Sequence, residues 1–147
     1  MITVKYPIAL IVTLLWIGFV CAISFMEAWL KFRAPGVTLA VGLGIGRLVF
    51  NALNKIEWVF VISIIANLLL SEKQLFTFQN LFYFIPLILL TAQSVWLLPA
   101  LDARSELHIQ GQTAHSSNLH FYYVVMEGVQ VICLSSLGIT FFKNTTT

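Results

Sequence analysis

The chain has 147 residues, of which 59% are hydrophobic and only 10% charged, with a net charge of +2 and a mean hydropathy of +0.92. Soluble domains carry about 25% charged residues, so this composition argues against a water-soluble monomer, and so small a net charge argues against a nucleic-acid partner. The cysteines, Cys21 and Cys133, each lie within an apolar run, which excludes a disulfide framework and a zinc knuckle and points to small core residues.

The pattern predicts an all-α, integral membrane four-helix bundle in one domain, with an amphipathic or embedded helix before the second span. Residues 7–30 form the first span, with Pro7 suited to a first helical turn. This apolar run is too long for a signal-peptide core and lacks a small-x-small cleavage site, so it reads as a retained helix. Residues 37–70 would make a helix of about 51 Å, long for a straight span. Arg47, Asn51, Asn54 and Trp58 recur on one helical face, and Ile45, Leu48, Val49, Ala52, Leu53 and Ile56 lie largely opposite. An amphipathic segment over 39–55 feeding a span over 56–70 accounts for this, and one continuous tilted helix is the alternative. Gly42, Gly44 and Gly46 follow no strand and precede no phosphate-binding lysine, so they do not form a nucleotide loop. Gly42 and Gly46 instead form a small-x-x-x-small pair, which permits close helix contact and offers a homo-oligomer seam. The third span covers 80–101, with a bend expected at Pro86. The fourth covers 118–142, with Ser116, Ser117 and Asn118 as capping candidates.

Four spans put both chain ends on one side, with Lys5, Lys73 and Lys143. The other side carries Lys31, Arg33, Arg47, Lys55 and Arg104. The positive-inside bias then places the charged connections in the cytoplasm and the termini outside, in a membrane such as the bacterial inner membrane. The sequon Asn144-Thr145-Thr146 reads as background occurrence. Trp16, Trp29, Trp58 and Trp96, with Tyr6, Tyr83, Tyr122 and Tyr123, read mostly as interfacial anchors.

The functional signal is polar. Glu127 lies about nine positions into an apolar run from Leu119 to Phe142. A carboxylate there costs about 2.5–3.5 kcal/mol unless something compensates it. His120, Tyr123, Glu127 and Gln130 share one helical face, as do Asn54 and Glu57. With Glu27 and Gln93, these eight residues form the expected site, a polar cavity in the half of the bundle next to the charged connections. Lys31, Arg47 and Lys55 are candidate charge partners. The site suits binding or transport of a small solute, ion or proton. The alternatives are an accessory subunit whose carboxylates only pack helices, and an enzyme acting on a lipid or isoprenoid-like substrate, with Glu127 and His120 as acid and base. No catalytic residue is assigned. His108, His115 and His120 flank the fourth span without a Glu-x-x-His pair, and Glu106 and His108 do not share a helical face, so no metal site is expected. No cofactor is implied. The expected partners are membrane lipids, a second copy of the chain, and a small solute or cation.

The stretch SFMEAWLKFRAP from Ser24 to Pro35, GIGRLVF from Gly44 to Phe50, Leu98-Pro99 before a polar loop, and Leu119-His120 opening the last span give a recognisable layout. It is similar to that of a widespread family of small four-helix integral membrane proteins, one eukaryotic branch of which is linked to platinum-drug resistance. The resemblance covers most of the chain and implies the four-span architecture. It carries over no functional residue.

Overall fold

The computed structural model describes residues 2–4, 6–70, 81–112 and 117–144. Lys5, Lys73, Asn80, His115, Ser116, Thr145 and Thr146 lie outside them, and Tyr83 and Lys143 are described by their backbone alone.

Among the described residues the chain is helical apart from short connections and one short strand pair. In order, β1 (Ile2–Val4) leads to α1 (Pro7–Arg33), α2 (Leu39–Leu70), α3 (residues 81–109), α4 (Leu119–Thr140) and β2 (Phe142–Asn144). Four helices are long and apolar enough to cross a membrane. Each packs against the next, and α4 packs back on α1, which closes an up-down bundle. β1 and β2 pair antiparallel, with Ile2 opposite Asn144, so the two strands lie together at one end of the bundle. There the Tyr6 ring meets Phe141 edge-on at 5.9 Å.

Local chemistry explains the boundaries. Pro7 opens α1 where a missing N–H costs no helical bond. Gly36, at φ +80°, turns the chain toward α2, whose first turn is capped by Thr38 Oγ1 accepting the Val41 N–H at 3.3 Å. Gly111, at φ +75°, terminates α3. Asn118 stands at the N-cap of α4 without a side-chain bond; Ser117 Oγ accepts the Leu119 N–H instead, at 3.2 Å.

Two helices widen mid-course. In α1 the stretch Cys21–Glu27 is π-helical, with the Ala28 N–H donating to the Ile23 carbonyl five residues back. In α3, Leu81–Ala92 passes through Pro86 as ordinary α-helix and the departure comes at Gln93–Leu97, before Leu98–Ile109 resumes. Pro99 follows that wide turn and has no N–H to give the carbonyl four residues earlier.

The amphipathic reading of 39–55 meets a different outcome: α2 runs unbroken from Leu39 to Leu70. Its polar face is a seam against α3. Arg47 pairs with Asp102 and Glu106, Asn51 Nδ2 donates to Asp102 at 3.0 Å, and Asn54 and Trp58 both donate to Ser94 Oγ, at 2.9 and 3.0 Å. The polar groups are satisfied by a neighbouring helix, so no break toward water is needed. Leu48 on the other face is 76% exposed, whereas Leu53 is buried.

The interior is layered along the axis. Nearest the chain ends lies an apolar core that includes Val20, Ile64, Leu90, Leu134 and Leu137. A polar layer follows, then a small apolar cluster of Leu97, Leu98 and Tyr123 with Phe50 packed on it, and finally the charged end. The outer faces are strongly apolar, with Ile11, Ile62, Ile88, Val95, Ile132 and Ile139 all exposed.

Candidate functional site

All four helices contribute to the polar layer. Glu57 from α2, Gln93 from α3, and Glu127 and Gln130 from α4 are each 0% exposed. Two hydrogen bonds converge on Glu57 Oε1: Trp16 Nε1 of α1 donates at 2.8 Å and Gln130 Nε2 at 2.6 Å. Gln93 Nε2 donates to Glu127 Oε1 at 3.0 Å. Buried Tyr123 stands one turn before Glu127 and interacts with both Glu127 and Ser24, the latter on the wide turn of α1.

The remaining atoms of the layer decide its chemistry. Glu57 Oε2, Glu127 Oε2, Gln93 Oε1, Gln130 Oε1 and Ser24 Oγ are enclosed and make no well-formed hydrogen bond among the described residues. With both carboxyls ionised, four of the five are pure acceptors and only the serine hydroxyl can also donate. An unsatisfied buried polar group costs about 1–3 kcal/mol, so the layer lacks donors or positive charge. Neither Glu57 nor Glu127 joins an ion pair among the described residues, and the donors that reach them are neutral: an indole, two amides and the Tyr123 hydroxyl.

Thus the structure brings together Glu57, Gln93, Tyr123, Glu127 and Gln130 of the expected set and separates the other three. Asn54 stands at the edge of the layer, bonded to Ser94, whose hydroxyl donates to the Leu90 carbonyl at 2.7 Å. Glu27 pairs with Lys31 at 3.2 Å, one turn apart on α1. His120 faces a cavity of about 320 Å³ beyond the layer, at the charged end. The charge partners divide likewise: Lys31 serves Glu27, Arg47 serves Asp102 and Glu106, and Lys55 is exposed. His120 and Glu127, paired above as acid and base, occupy different compartments.

Trp16, Ser24 and Ser94 belong to the site without having been expected there. Trp16 was the most accessible to reasoning, because it lies well inside the first apolar run rather than at its end, where an interfacial anchor belongs. Trp58 and Tyr123 are likewise interior residues, while Trp29, Trp96 and Tyr122 are exposed. Cys133 is buried as expected, but Cys21 lies on the outer face.

Gly42 and Gly46 are also buried within the chain. A Cβ on Gly42 would stand 2.1 Å from the Phe32 ring, and one on Gly46 would stand 3.0 Å from Lys31 Nζ. The small-residue face therefore receives the end of α1, which leaves it closed to a second copy.

No protein-family model, curated protein or solved structure matches the chain, so the resemblance in layout ties none of these residues to a known site.

Proposed function

We propose that the chain is an integral membrane four-helix bundle that binds a small cation, the proton included, at the Glu57–Glu127 layer and passes it across the membrane. The observation that carries this reading is the set of enclosed oxygens around the two carboxyls, which neutral donors alone reach among the described residues and no cation meets. A cation or added protons satisfy these acceptors, whereas a neutral apolar occupant does not. Inward-facing carboxyls in a span are costly and commonly mark ion or proton pathways.

The membrane placement is supported by inverted polarity. Two glutamates and two glutamines are fully enclosed while isoleucines, valines and leucines cover the exterior, the reverse of what water selects. The excess of lysine and arginine at the α1–α2 and α3–α4 connections favours a cytoplasmic position for that end.

One specific observation favours a second reading, that of an accessory protein whose carboxyls only join helices. The Trp16–Glu57–Gln130 and Gln93–Glu127 bonds together tie all four helices. Flux in liposomes separates the two. The purified chain is reconstituted with a trapped pH dye, and with a sodium-sensitive dye in a parallel set, and gradients are imposed across wild type, Glu57→Gln and Glu127→Gln. The expected result is cation uptake by wild type that falls at least tenfold in each folded variant. Uptake no faster than in protein-free vesicles supports the accessory reading. Uptake that survives both substitutions sinks the assignment to this layer, and turnover of the vesicle lipids would favour an enzyme.

A further inference from the structure

The cavity at the charged end and the carboxyl layer are separated by one thickness of side chains. The cavity, of about 320 Å³, runs from exposed Ser117 and His120 inward to Phe50 and Leu98, the latter 4% exposed. Leu98 belongs to the small apolar cluster with Leu97 and Tyr123, and the Phe50 ring meets that of Tyr123 at 5.1 Å. Beyond Tyr123 stands Glu127, one turn further along α4. Lys31 and Arg47 on the cavity wall are matched by Glu27, Asp102 and Glu106, so neither presents an unpaired charge to this approach. On its other side the layer is backed by the larger apolar core, which reaches as far as Phe141.

The thin barrier carries one hydroxyl. Tyr123 is buried, and the other members of its cluster have none. A phenylalanine would fill the same space; the hydroxyl adds a group that both gives and accepts a proton. It lies between Ser24 and Glu127 and interacts with each. Ser24 sits in the π-helical stretch of α1, four residues before Ala28 on the cavity wall. Wide turns of this kind are frequent at functional sites, and here the turn carries a second hydroxyl toward the first.

We infer that the Tyr123 hydroxyl relays protons between the end cavity and Glu127. This rests on the cation reading of the layer and narrows its cargo to the proton. A hydronium ion at the cavity floor gives a proton to the Tyr123 oxygen as the phenolic proton passes to the Glu127 carboxylate. Water is left behind, the tyrosine is again neutral, and Glu127 alone has changed, from carboxylate to acid. A metal ion has no such step. To cross, it must exchange its hydration shell for protein oxygens, and the side chains of Phe50, Leu97 and Leu98 offer none.

The test is uptake by the full chain in liposomes under proton and sodium gradients, with the melting temperature of each variant taken in mixed micelles. Wild type is expected to take up protons well above protein-free vesicles, and sodium only at their rate. Tyr123→Phe keeps the ring and the seal, so it should lower proton uptake at least tenfold with its melting temperature held. Leu98→Ala thins the floor and admits water to the hydroxyl, so it should raise proton uptake at least twofold. Full proton uptake by Tyr123→Phe, with uptake lost in Glu127→Gln, overturns the relay and leaves the cation reading of the layer standing. Sodium uptake as fast as proton uptake overturns the restriction to protons. A loss in Leu98→Ala as deep as in Tyr123→Phe assigns the effect to packing and overturns the relay. No uptake of either ion by wild type sinks the cation reading and the relay together. If Tyr123→Phe does not fold, the wild-type preference for protons and the Leu98→Ala rise still decide it.

Discussion

The carboxyls of the polar layer and those of the charged end are the same chemical groups under opposite arrangements. At the end, Glu27 meets Lys31, and Asp102 and Glu106 meet Arg47, with the three carboxylates partly open to solvent. In the layer, Glu57 and Glu127 are fully enclosed and meet only neutral donors among the described residues: an indole, amides and the Tyr123 hydroxyl. Carboxyls meet cations where they are partly open and meet none where they are fully enclosed. Packing alone does not call for that distribution. A pair of buried carboxyls built only for stability would replace its orphaned oxygens with apolar atoms, which is often neutral or favourable.

The most forceful way to break this contrast is through Trp16, which belongs to both the apolar core and the layer. Trp16→Ala is expected to lower stability by about 3–5 kcal/mol, since a large buried side chain leaves a void. Trp16→Phe keeps most of the ring volume and removes only the donor to Glu57, and should cost about 1–3 kcal/mol. Reversible unfolding of both variants in mixed micelles checks this. Equal losses would mean that the indole N–H contributes nothing and that Glu57 is satisfied by other means.

A smaller effect tests the contrast directly. Glu57→Gln and Glu127→Gln each supply the layer with the N–H donors it lacks, so stability should hold or rise, with any change under about 1 kcal/mol. Arg47→Gln leaves Asp102 without its cation and should cost about 1 kcal/mol, because that pair is partly exposed. The Arg47 cost should shrink as salt is added, while the layer variants should be insensitive to it. Melting temperatures in low and high salt measure both. A salt-sensitive loss at Glu57 would mean that water reaches the layer.

Much of the layer was legible because helical period is a local property. Tyr123, Glu127 and Gln130 are spaced four and three apart on one helix, and any close-packed bundle that buries one tends to bury all three. His120 obeys the same spacing but stands in the first turn of α4, where the face looks into the end cavity. Partners were harder to read, because no single segment contains them. Arg47, Asn51, Asn54 and Trp58 form a polar stripe whether water or a neighbouring helix satisfies it. Only the arrival of Ser94, Asp102 and Glu106 on α3 distinguishes the two, and with it an unbroken α2 from a bent one. The wide turns of α1 and α3, which carry Ser24 and Gln93, leave no periodic trace in an apolar run.

The smallest effect lies at Gly42, where the charged end is set by shape rather than by charge. A methyl group there overlaps the Phe32 ring at 2.1 Å, so something must move. Phe32 lies in the last turn of α1 and the residue is 39% exposed, which lets the ring swing outward. Against the cost of that displacement stands the helix preference of alanine over glycine, worth up to about 1 kcal/mol in a helix interior. Gly42→Ala alone should therefore change stability by less than about 1 kcal/mol. In a Phe32→Ala background the overlap disappears, and the same substitution should stabilise by about 1 kcal/mol through helix preference alone. A double-mutant cycle in one lipid composition supplies the difference. If Gly42→Ala costs several kcal/mol on its own and recovers only with Phe32 shortened, the ring is locked against α2. Lys31, whose ammonium sits over that ring, would then be fixed by the same contact, and the charged end of the bundle would be rigid.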